Sequence, residues 1–235
     1  MLTHSLAYTP PTTVMPQTAR PERHDPRSLQ EHLAAAPLRK IEAKQNVFAE
    51  GDRSTHVYRV ESGAISLHRI MPDGWRQILG FAYPGDVIGL GASELHRFNA
   101  QAVKPTQLRC LRRSLIDSVA RVDPEFAQEL FHALSLELAG AHDLLLTTGQ
   151  RSATERIATF LLAMSRRNQR HNRSATLIDL PMTRADIGDF LGITIETVSR
   201  TFTKLRQLDI IDLAQSASVR ILDIDDLEQL AEGAQ

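Results

Sequence analysis

The sequence of 235 residues predicts an α+β protein with an N-terminal antiparallel β-domain, a long central helix and a C-terminal winged helix-turn-helix domain. Three observations predict this architecture. Short alternating segments separated by glycines fill residues 41–111, apolar residues follow a 3.5-residue period over 123–148, and two short capped helical patterns flank a glycine within 183–207. We therefore expect a disordered tail at 1–25, the β-domain at 26–122, the central helix at 123–150 and the helix-turn-helix domain at 151–235.

The composition is that of a globular protein, because 42% of the residues are hydrophobic. No apolar run approaches the roughly 18 residues that a membrane helix requires, and the N-terminus lacks the basic-then-apolar order of a signal peptide. The single cysteine, Cys110, excludes an internal disulfide and is typical of a reducing compartment. We therefore expect a cytoplasmic protein.

The net charge of −1 conceals an uneven distribution. Residues 151–207 carry ten Arg or Lys against five Asp or Glu, whereas residues 1–150 carry sixteen of each. Positive charge therefore concentrates around the helix-turn-helix, as binding to phosphate groups requires. The basic run at 166–173, RRNQRHNR, is either a solvated face or a further phosphate contact.

The first half of the chain changes from a tail to a β pattern. Residues 1–25 contain four prolines and no apolar period, which predicts a mobile tail, and 28–35 has the pattern of a short helix. From 41 to 111, runs such as VYRVESGAISLHRI predict antiparallel strands, and Pro72-Asp73-Gly74 predicts a hairpin turn. This pattern by itself does not distinguish a sandwich from a barrel.

The central helix begins at a predicted cap, Asp123, with Pro124 in its first turn. It has two apolar stripes, and a helix with two apolar sides needs two partners, although burial in the core of a monomer would also explain such a pattern. The stripe expected on the β-domain of the same chain consists of Phe126, Leu130, Ala133 and Leu144. The other stripe starts at Ala127 and has the spacing of a coiled-coil seam. We expect it to form a homodimer interface through Phe131, Leu134, Leu138, Ala141 and Leu145.

The C-terminal region contains further predicted elements around the motif. Residues 154–167 predict an amphipathic helix whose inward residues are Ile157, Phe160, Leu161 and Met164. Residues 177–180 and 210–224 predict strands, the latter forming a hairpin wing. We expect Asp225 and Asp226 to cap a last helix that ends near Leu230.

The helix-turn-helix is predicted by its caps. Thr183 and Thr194 each stand where an N-cap hydroxyl accepts a bond from an otherwise unpaired N–H, and Asp186 completes a capping box. Gly192 suits the left-handed conformation that ends the first helix. Two capped helices around a three-residue turn match the motif whose second helix enters the major groove of DNA.

The second helix has one packed and one outward stripe. Val198, Phe202 and Leu205 form the apolar stripe. On the outward stripe, Arg200 suits guanine and Glu196 suits cytosine, although a Glu/Arg pair at this spacing is also a common solvated ion pair. We expect the DNA-contacting residues to be Thr183, Thr194, Ile195, Glu196, Ser199, Arg200, Thr203 and Lys204.

The segment DIGDFLGITIETVSR closely resembles the helix-turn-helix signature of the CRP/FNR superfamily of bacterial transcription regulators, and the resemblance extends over about 38–230. It implies that the β-domain is a β-roll of the cyclic-nucleotide-binding kind, a jelly roll, and that the central helix is a dimer axis. It also implies a palindromic operator of TTGA-type half-sites and contact with RNA polymerase. Regulators that respond to cyclic AMP have an arginine where this chain has Ile195, so Ile195 is expected to favour thymine.

The resemblance also indicates which ligands to expect. Relatives that bind cyclic AMP use a Gly-Glu pair and an arginine followed by Ser or Thr, but here Leu90 follows Gly89 and Phe98 follows Arg97. Oxygen-sensing relatives hold an iron–sulfur cluster with four thiolates, and this chain has only Cys110. We therefore expect no cofactor and no metal, as in the FixK branch of the family.

Cys110 is either a small buried thiol or a redox-sensitive one. The second alternative depends on Arg109, Arg112 and Arg113, which are near it in sequence and would lower its pKa. Three functions compete at this point. A dimeric DNA-binding activator is the first, and a sensor gated by an effector or haem is the alternative. A jelly-roll enzyme is disfavoured, because clustered metal ligands and a nucleophile with its base are both missing.

Overall fold

The computed structural model describes residues 28–91, 93–149, 151–215 and 217–233, and the tail predicted at 1–25 lies outside these ranges. Within the described residues, a six-stranded β-domain packs against three helices, and a C-terminal domain of four helices and a three-stranded sheet follows. No helix in these ranges has the length and apolar character needed to cross a membrane.

The β-domain consists of β1 Leu38–Ile41, β2 Asn46–Phe48, β3 His56–Ile70, β4 Arg76–Ala82, β5 Val87–Ile88 and β6 Asn99–Arg112. The strand order is β1-β6-β3-β4, with β2 paired to β6 and β5 to β3, and every pairing is antiparallel. Register shifts between Val60 and Ile65 interrupt the long β3–β6 ladder, as bulges do where a sheet bends. The sheet closes over a core that includes Ile65 and Leu108, which confirms the predicted antiparallel β-roll.

The predicted hairpin turn joins β3 to β4. Gly74 has a φ of +83°, and Met71 N–H donates to Trp75 O over 2.8 Å. Asp73 Oδ1 accepts the Trp75 N–H over 3.0 Å, so both the N–H and the C=O of Trp75 are hydrogen-bonded within the turn. β4 therefore begins at Arg76, whose side chain contacts the C-terminal domain.

Three helices lie against the β-roll: α1 Leu29–Ala35, α2 Arg113–Val122 and α3 Pro124–Thr148. The sequence did not predict α2 as a separate helix. Asp123 caps α3 by accepting from the N–H groups of Glu125 and Phe126, as predicted. Phe126 is fully buried against α1 and α2, and Leu130 and Ala133 pack on the same cluster. This confirms the stripe expected on the β-domain, except that the Leu144 side chain lies outside the described residues.

The C-terminal domain consists of α4 Ala153–Arg170, β7 Leu177–Asp179, α5 Arg184–Leu191, α6 Ile195–Gln207, β8 Ile211–Gln215, β9 Ser218–Ile221 and α7 Ile224–Glu232. Its sheet has the antiparallel order β7-β9-β8, so β8 and β9 form the predicted wing. All four residues expected inward on α4 are buried.

The prediction for the last cap was wrong. Asp223 is the N-cap of α7, because its Oδ1 accepts the Asp226 N–H over 2.9 Å, and the helix continues to Glu232. Asp225 and Asp226 lie in the first turn of α7. Their negative charges are stabilised there by the positive end of the helix dipole.

The two domains contact each other directly. Phe81 on β4 lies 5.5 Å from Phe190 on α5, measured between ring centroids. Arg167 on α4 donates to Asp86 over 2.9 Å and lies 4.8 Å above the ring of Tyr83. An apolar contact and a charged contact therefore both join the β-roll to the C-terminal domain.

Candidate nucleic-acid interface

The first helix of the motif, α5, starts with the predicted capping box. Thr183 Oγ1 accepts the Asp186 N–H over 3.1 Å, and Asp186 Oδ2 accepts the Thr183 N–H over 2.9 Å. Ile187 and Leu191 are fully buried in the core of the C-terminal domain. The cap and the buried side chains together determine where α5 begins and which side of it faces inward.

The turn between the helices depends on two glycines. Gly192 adopts a φ of +67°, the left-handed conformation predicted for it. Gly188 is equally constrained, since a Cβ at this position would lie only 2.6 Å from Ile193 O. The backbone of α5 therefore packs directly on the turn, and a side chain here would force the two helices apart.

Arg156 on α4 supports the same turn. Its Nη1 donates to Leu191 O over 2.9 Å and to Gly192 O over 3.4 Å, which satisfies carbonyls at the end of α5. Its Nη2 donates to Gly149 O over 3.2 Å, at the end of the central helix. This role could not be predicted from the sequence, because Arg156 lies far from the motif along the chain.

The second helix, α6, has the two predicted stripes. Thr194 caps it by accepting the Thr197 N–H over 3.3 Å. Val198, Phe202 and Leu205 are buried, as predicted, and Arg184 of α5 lies 3.4 Å above the Phe202 ring. The residues expected to contact DNA on the other side are all exposed: Ile195, Glu196, Ser199, Arg200, Thr203 and Lys204.

The exposed face has the charge required for base contacts. Hydrogen bonds from its own N–H and from the Thr194 hydroxyl lower the pKa of Glu196. Its carboxylate is therefore ionised at neutral pH and can accept from a cytosine amino group. The Arg200 guanidinium lies 3.4 Å from Thr197 Oγ1, one turn further along, and offers donors that match the acceptors of guanine.

Thr183 differs from the other expected contacts. Its hydroxyl donates to Asp186 Oδ2 over 2.7 Å while accepting from the Asp186 N–H, so it is fully engaged in the cap. A contact from this hydroxyl to phosphate would therefore compete with the capping box. The DNA contact expected of Thr183 stays a prediction.

The basic run at 166–173, which spans the end of α4, has two kinds of members. Arg167 points towards the β-roll, where it pairs with Asp86. Arg166, Arg170 and Arg173 are exposed. Arg167 therefore has a structural role, and only the exposed arginines are available for contact with phosphate.

The seam of the central helix faces solvent in the single chain. Phe131 is 73% exposed, Leu138 57% and Leu145 69%, and Leu134 and Ala141 are also exposed. These side chains lie on a face of α3 roughly a quarter-turn around the helix from the stripe that packs on the β-roll. A large apolar surface of this kind is typical of an interface with another molecule.

The Gly89 region of the β-roll is built from apolar contacts. Leu90, which stands where relatives that bind cyclic AMP have glutamate, is buried with Val57 and Leu111. Gly89 O accepts a hydrogen bond from Arg113. The local structure thus uses this segment for packing. Among the described residues, no group of three or more His, Cys, Asp or Glu side chains is arranged to hold a metal ion.

Cys110 lies on β6 and is partly buried. Burial raises the pKa of its thiol, and Arg39 opposes this only in part. The sequence suggested that Arg109, Arg112 and Arg113 would lower this pKa, but Arg109 donates instead to Ala36 O and Arg113 to Gly89 O. The structure therefore corrects that expectation, and the thiol form of Cys110 is favoured.

Comparison with known protein families defines the class of protein. Residues 38–123 match the family described as a cyclic nucleotide-binding domain, and residues 155–230 match the Crp-like helix-turn-helix domain. These ranges coincide with the β-roll and with the domain that carries α5 and α6. The chain belongs to the CRP/FNR family of transcription regulators, which are DNA-binding proteins and not enzymes.

The relatives place the chain in the FixK-like branch of this family. It is 36% identical over 208 residues to the nitrogen fixation regulation protein FixK of Bradyrhizobium diazoefficiens, covering 85% of this chain and 87% of the relative. It is 40% identical over 185 residues to FixK of Azorhizobium caulinodans, covering 78% of this chain and 75% of the relative. The solved structure of FixK2 from Bradyrhizobium japonicum matches with a TM-score of 0.79 and 35% identity, over 83% of this chain and 97% of that one.

Proposed function

We propose that the protein is a homodimeric transcription activator that binds palindromic DNA, contacts RNA polymerase and needs no cofactor. The observation that carries the proposal is the exposed face of α6, where Ile195, Glu196 and Arg200 project from a helix whose other side is buried. The relatives named above are regulators of nitrogen fixation, and a relative in Stutzerimonas stutzeri is named a transcriptional activator protein. These names support the activator role, and the contact with RNA polymerase is the part of the proposal that follows from that role.

The exposed side chains of α6 favour TTGA-type half-sites. Arg200 and Glu196 lie one turn apart and are suited to the two partners of a G·C pair, or to adjacent pairs. Ile195 lies at the N-terminal end of the same face and is 46% exposed. It has no hydrogen-bond donor, so it suits the methyl group of thymine and does not select a further guanine.

The exposed seam of α3 supports a dimer. Full burial of a leucine side chain contributes about 1.5–3 kcal/mol before the cost of association is subtracted, and the seam offers three leucines and a phenylalanine. A second copy of α3 matches this surface by symmetry, because a twofold axis brings the same stripe from both subunits together. Two recognition helices then face successive turns of the major groove, roughly 34 Å apart.

Selection of binding sites from a random pool of duplexes tests this function. The full chain, retained on a support, should enrich palindromes with TTGA half-sites. Enrichment of TGTGA half-sites would contradict the role assigned to Ile195. A pool that stays random after several rounds would contradict sequence-specific binding altogether.

A further inference from the structure

We propose that Arg76 of the β-roll is a positioning residue that determines the spacing between the two half-sites to which the dimer binds. The inference rests on the proposed function, since it requires a dimer on a palindrome. It concerns a residue of the β-roll, in a different domain from the face of α6. The geometry that carries it is a contact between the β-roll and the first helix of the DNA-binding motif.

Arg76 is the first residue of β4, and its guanidinium reaches two carboxylates of α5. Its Nε and Nη2 donate to Asp189 Oδ2 over 2.9 and 2.7 Å, and Nη2 also donates to Asp186 Oδ1 over 2.5 Å. Gln77, the next residue, donates to the backbone oxygen of Asp189 over 3.0 Å. We call Arg76, Asp186 and Asp189 the Arg76 clamp.

The clamp is partly shielded from water. The side chains of Asp186 and Asp189 are 14% and 19% exposed and that of Arg76 is 31% exposed. Burial alone would raise the pKa of Asp186, but hydrogen bonds from Thr183 and Arg76 outweigh it and lower that pKa. Charge-assisted hydrogen bonds in such surroundings are stronger than those of an exposed ion pair.

Asp186 joins the clamp to the start of the helix. Its Oδ2 accepts from Thr183 in the capping box, while its Oδ1 accepts from Arg76. One carboxylate therefore fixes the first turn of α5 and ties that turn to the β-roll. The remaining partner, Asp189, lies nearly one helical turn further along, so the clamp fixes two points on α5.

A displacement of α5 is passed on to the recognition helix. Gly188 lies between Asp186 and Asp189, and the backbone there contacts the turn so closely that a Cβ would meet Ile193 O at 2.6 Å. Arg184 stacks on Phe202 of α6, and Arg156 holds the carbonyls at the end of α5. The two helices therefore move together. The clamp acts on α5 itself, and together with the contacts of Phe81 with Phe190 and of Arg167 with Asp86 it orients α6 relative to the β-roll.

The β-roll is in turn fixed to the proposed dimer axis. Phe126, Leu130 and Ala133 of α3 pack on the cluster formed by α1, α2 and the β-roll. The chain of contacts thus runs from the dimer seam through the β-roll to Arg76, α5 and α6. Without the clamp, each recognition helix keeps its side chains, but its distance from its symmetry mate is held less firmly, because only the contacts of Gln77, Phe190 and Arg167 between the two domains remain of those described above. Selectivity for half-site spacing then depends on Arg76, whereas selectivity for bases does not.

The test compares full-length variants on a set of duplexes. Arg76→Gln and Asp189→Asn each remove one side of the charged contact, and Asp189→Asn leaves the capping box intact. Arg69→Gln is the matched control, because Arg69 lies on the same hairpin and pairs with Glu50 within the β-roll over 2.9 Å. The duplexes carry the selected palindrome, the same palindrome with one or two base pairs inserted or removed at its centre, and a version with scrambled half-sites.

We expect wild type and Arg69→Gln to prefer one spacing strongly. In Arg76→Gln and Asp189→Asn, the ratio of affinities for the preferred spacing and for the altered spacings should fall about tenfold. Both variants should still distinguish the palindrome from the scrambled duplex. The double variant should be no worse than Arg76→Gln alone, because Arg76→Gln already removes the charged contact with Asp189. Sedimentation and thermal unfolding are the controls that verify that each variant is dimeric and folded.

Unchanged spacing preference in a folded Arg76→Gln or Asp189→Asn protein would overturn the inference. So would a loss of base selectivity equal to the loss of spacing preference, because the clamp would then act on α6 itself. Failure of the wild-type protein to prefer the palindrome over the scrambled duplex would contradict the proposed function instead. The two failures are therefore distinguishable within one experiment.

Discussion

Glu196 and Arg200 project from α6 on the side opposite Val198 and Phe202, so each can reach a base without disturbing the packed side of the helix. Replacing either residue by alanine should weaken binding to the selected operator by about 1–3 kcal/mol and change binding to random duplex little. Fluorescence anisotropy titrations on both duplexes measure the difference. Equal losses on both would mean that these side chains contact only phosphates.

We expect Ile195 to determine which half-site is preferred, because it presents methyl groups where an arginine would present donors. Ile195→Arg should therefore gain affinity for a TGTGA duplex relative to TTGA, by about 1–3 kcal/mol for one bidentate contact. Ile195→Val is the control, since it keeps an apolar side chain and should keep the TTGA preference. Unchanged preference in Ile195→Arg would place position 195 outside the base-contacting face.

Arg156 acts on the turn of the motif, although it belongs to α4. Arg156→Ala leaves Leu191 O at the end of α5 without its donor and should destabilise the C-terminal domain by about 1–3 kcal/mol. Thermal unfolding measures the loss. Arg173→Ala, an exposed arginine of the same domain, should change stability by less than about 0.5 kcal/mol. Equal stability of the two variants would show that Leu191 O is satisfied by water.

At the scale of elements, α3 carries the proposed subunit contact. Leu138→Glu places a charge in the middle of the seam and should yield a monomer in sedimentation experiments, with weak DNA binding. Leu136→Glu is a close control, because Leu136 is 58% exposed but lies off the seam and should leave the dimer intact. A Leu138→Glu dimer of unchanged DNA affinity would exclude this seam as the interface.

Elements with local signals were the ones the sequence predicted well. The caps at Thr183 and Thr194, the glycine at 192 and the buried stripe of α6 all depend on residues within one or two turns of each other. The missed helix α2 follows β6 without a break and has an N-cap, Arg112, whose side chain makes no capping bond. For α7, three acidic residues stand together, and only geometry shows that Asp223 is the cap.

At the scale of the whole molecule, contacts between the domains were beyond prediction from one sequence. Arg76 and Asp189 are 113 residues apart in the chain, and each has an ordinary surface residue type. The same holds for Phe81 and Phe190, which look like core residues of separate domains. The sequence pattern predicts which side of an element is buried, but the partner of a buried side depends on how the domains pack.

The proposed function requires the dimer to bind DNA without a cofactor. Two features favour this: Leu90 packs where a nucleotide-binding glutamate would stand, and Cys110 is the sole cysteine of the sequence. DNA affinity then depends on the monomer–dimer equilibrium and hence on protein concentration. The most direct measurement is an operator titration with protein purified in air and treated with chelator, at several protein concentrations. We expect specific binding that strengthens with dimer formation and is unchanged by added cyclic AMP. Binding that appears only after addition of cyclic AMP, haem, or iron and sulfide without oxygen would contradict it and favour a sensor gated by that ligand.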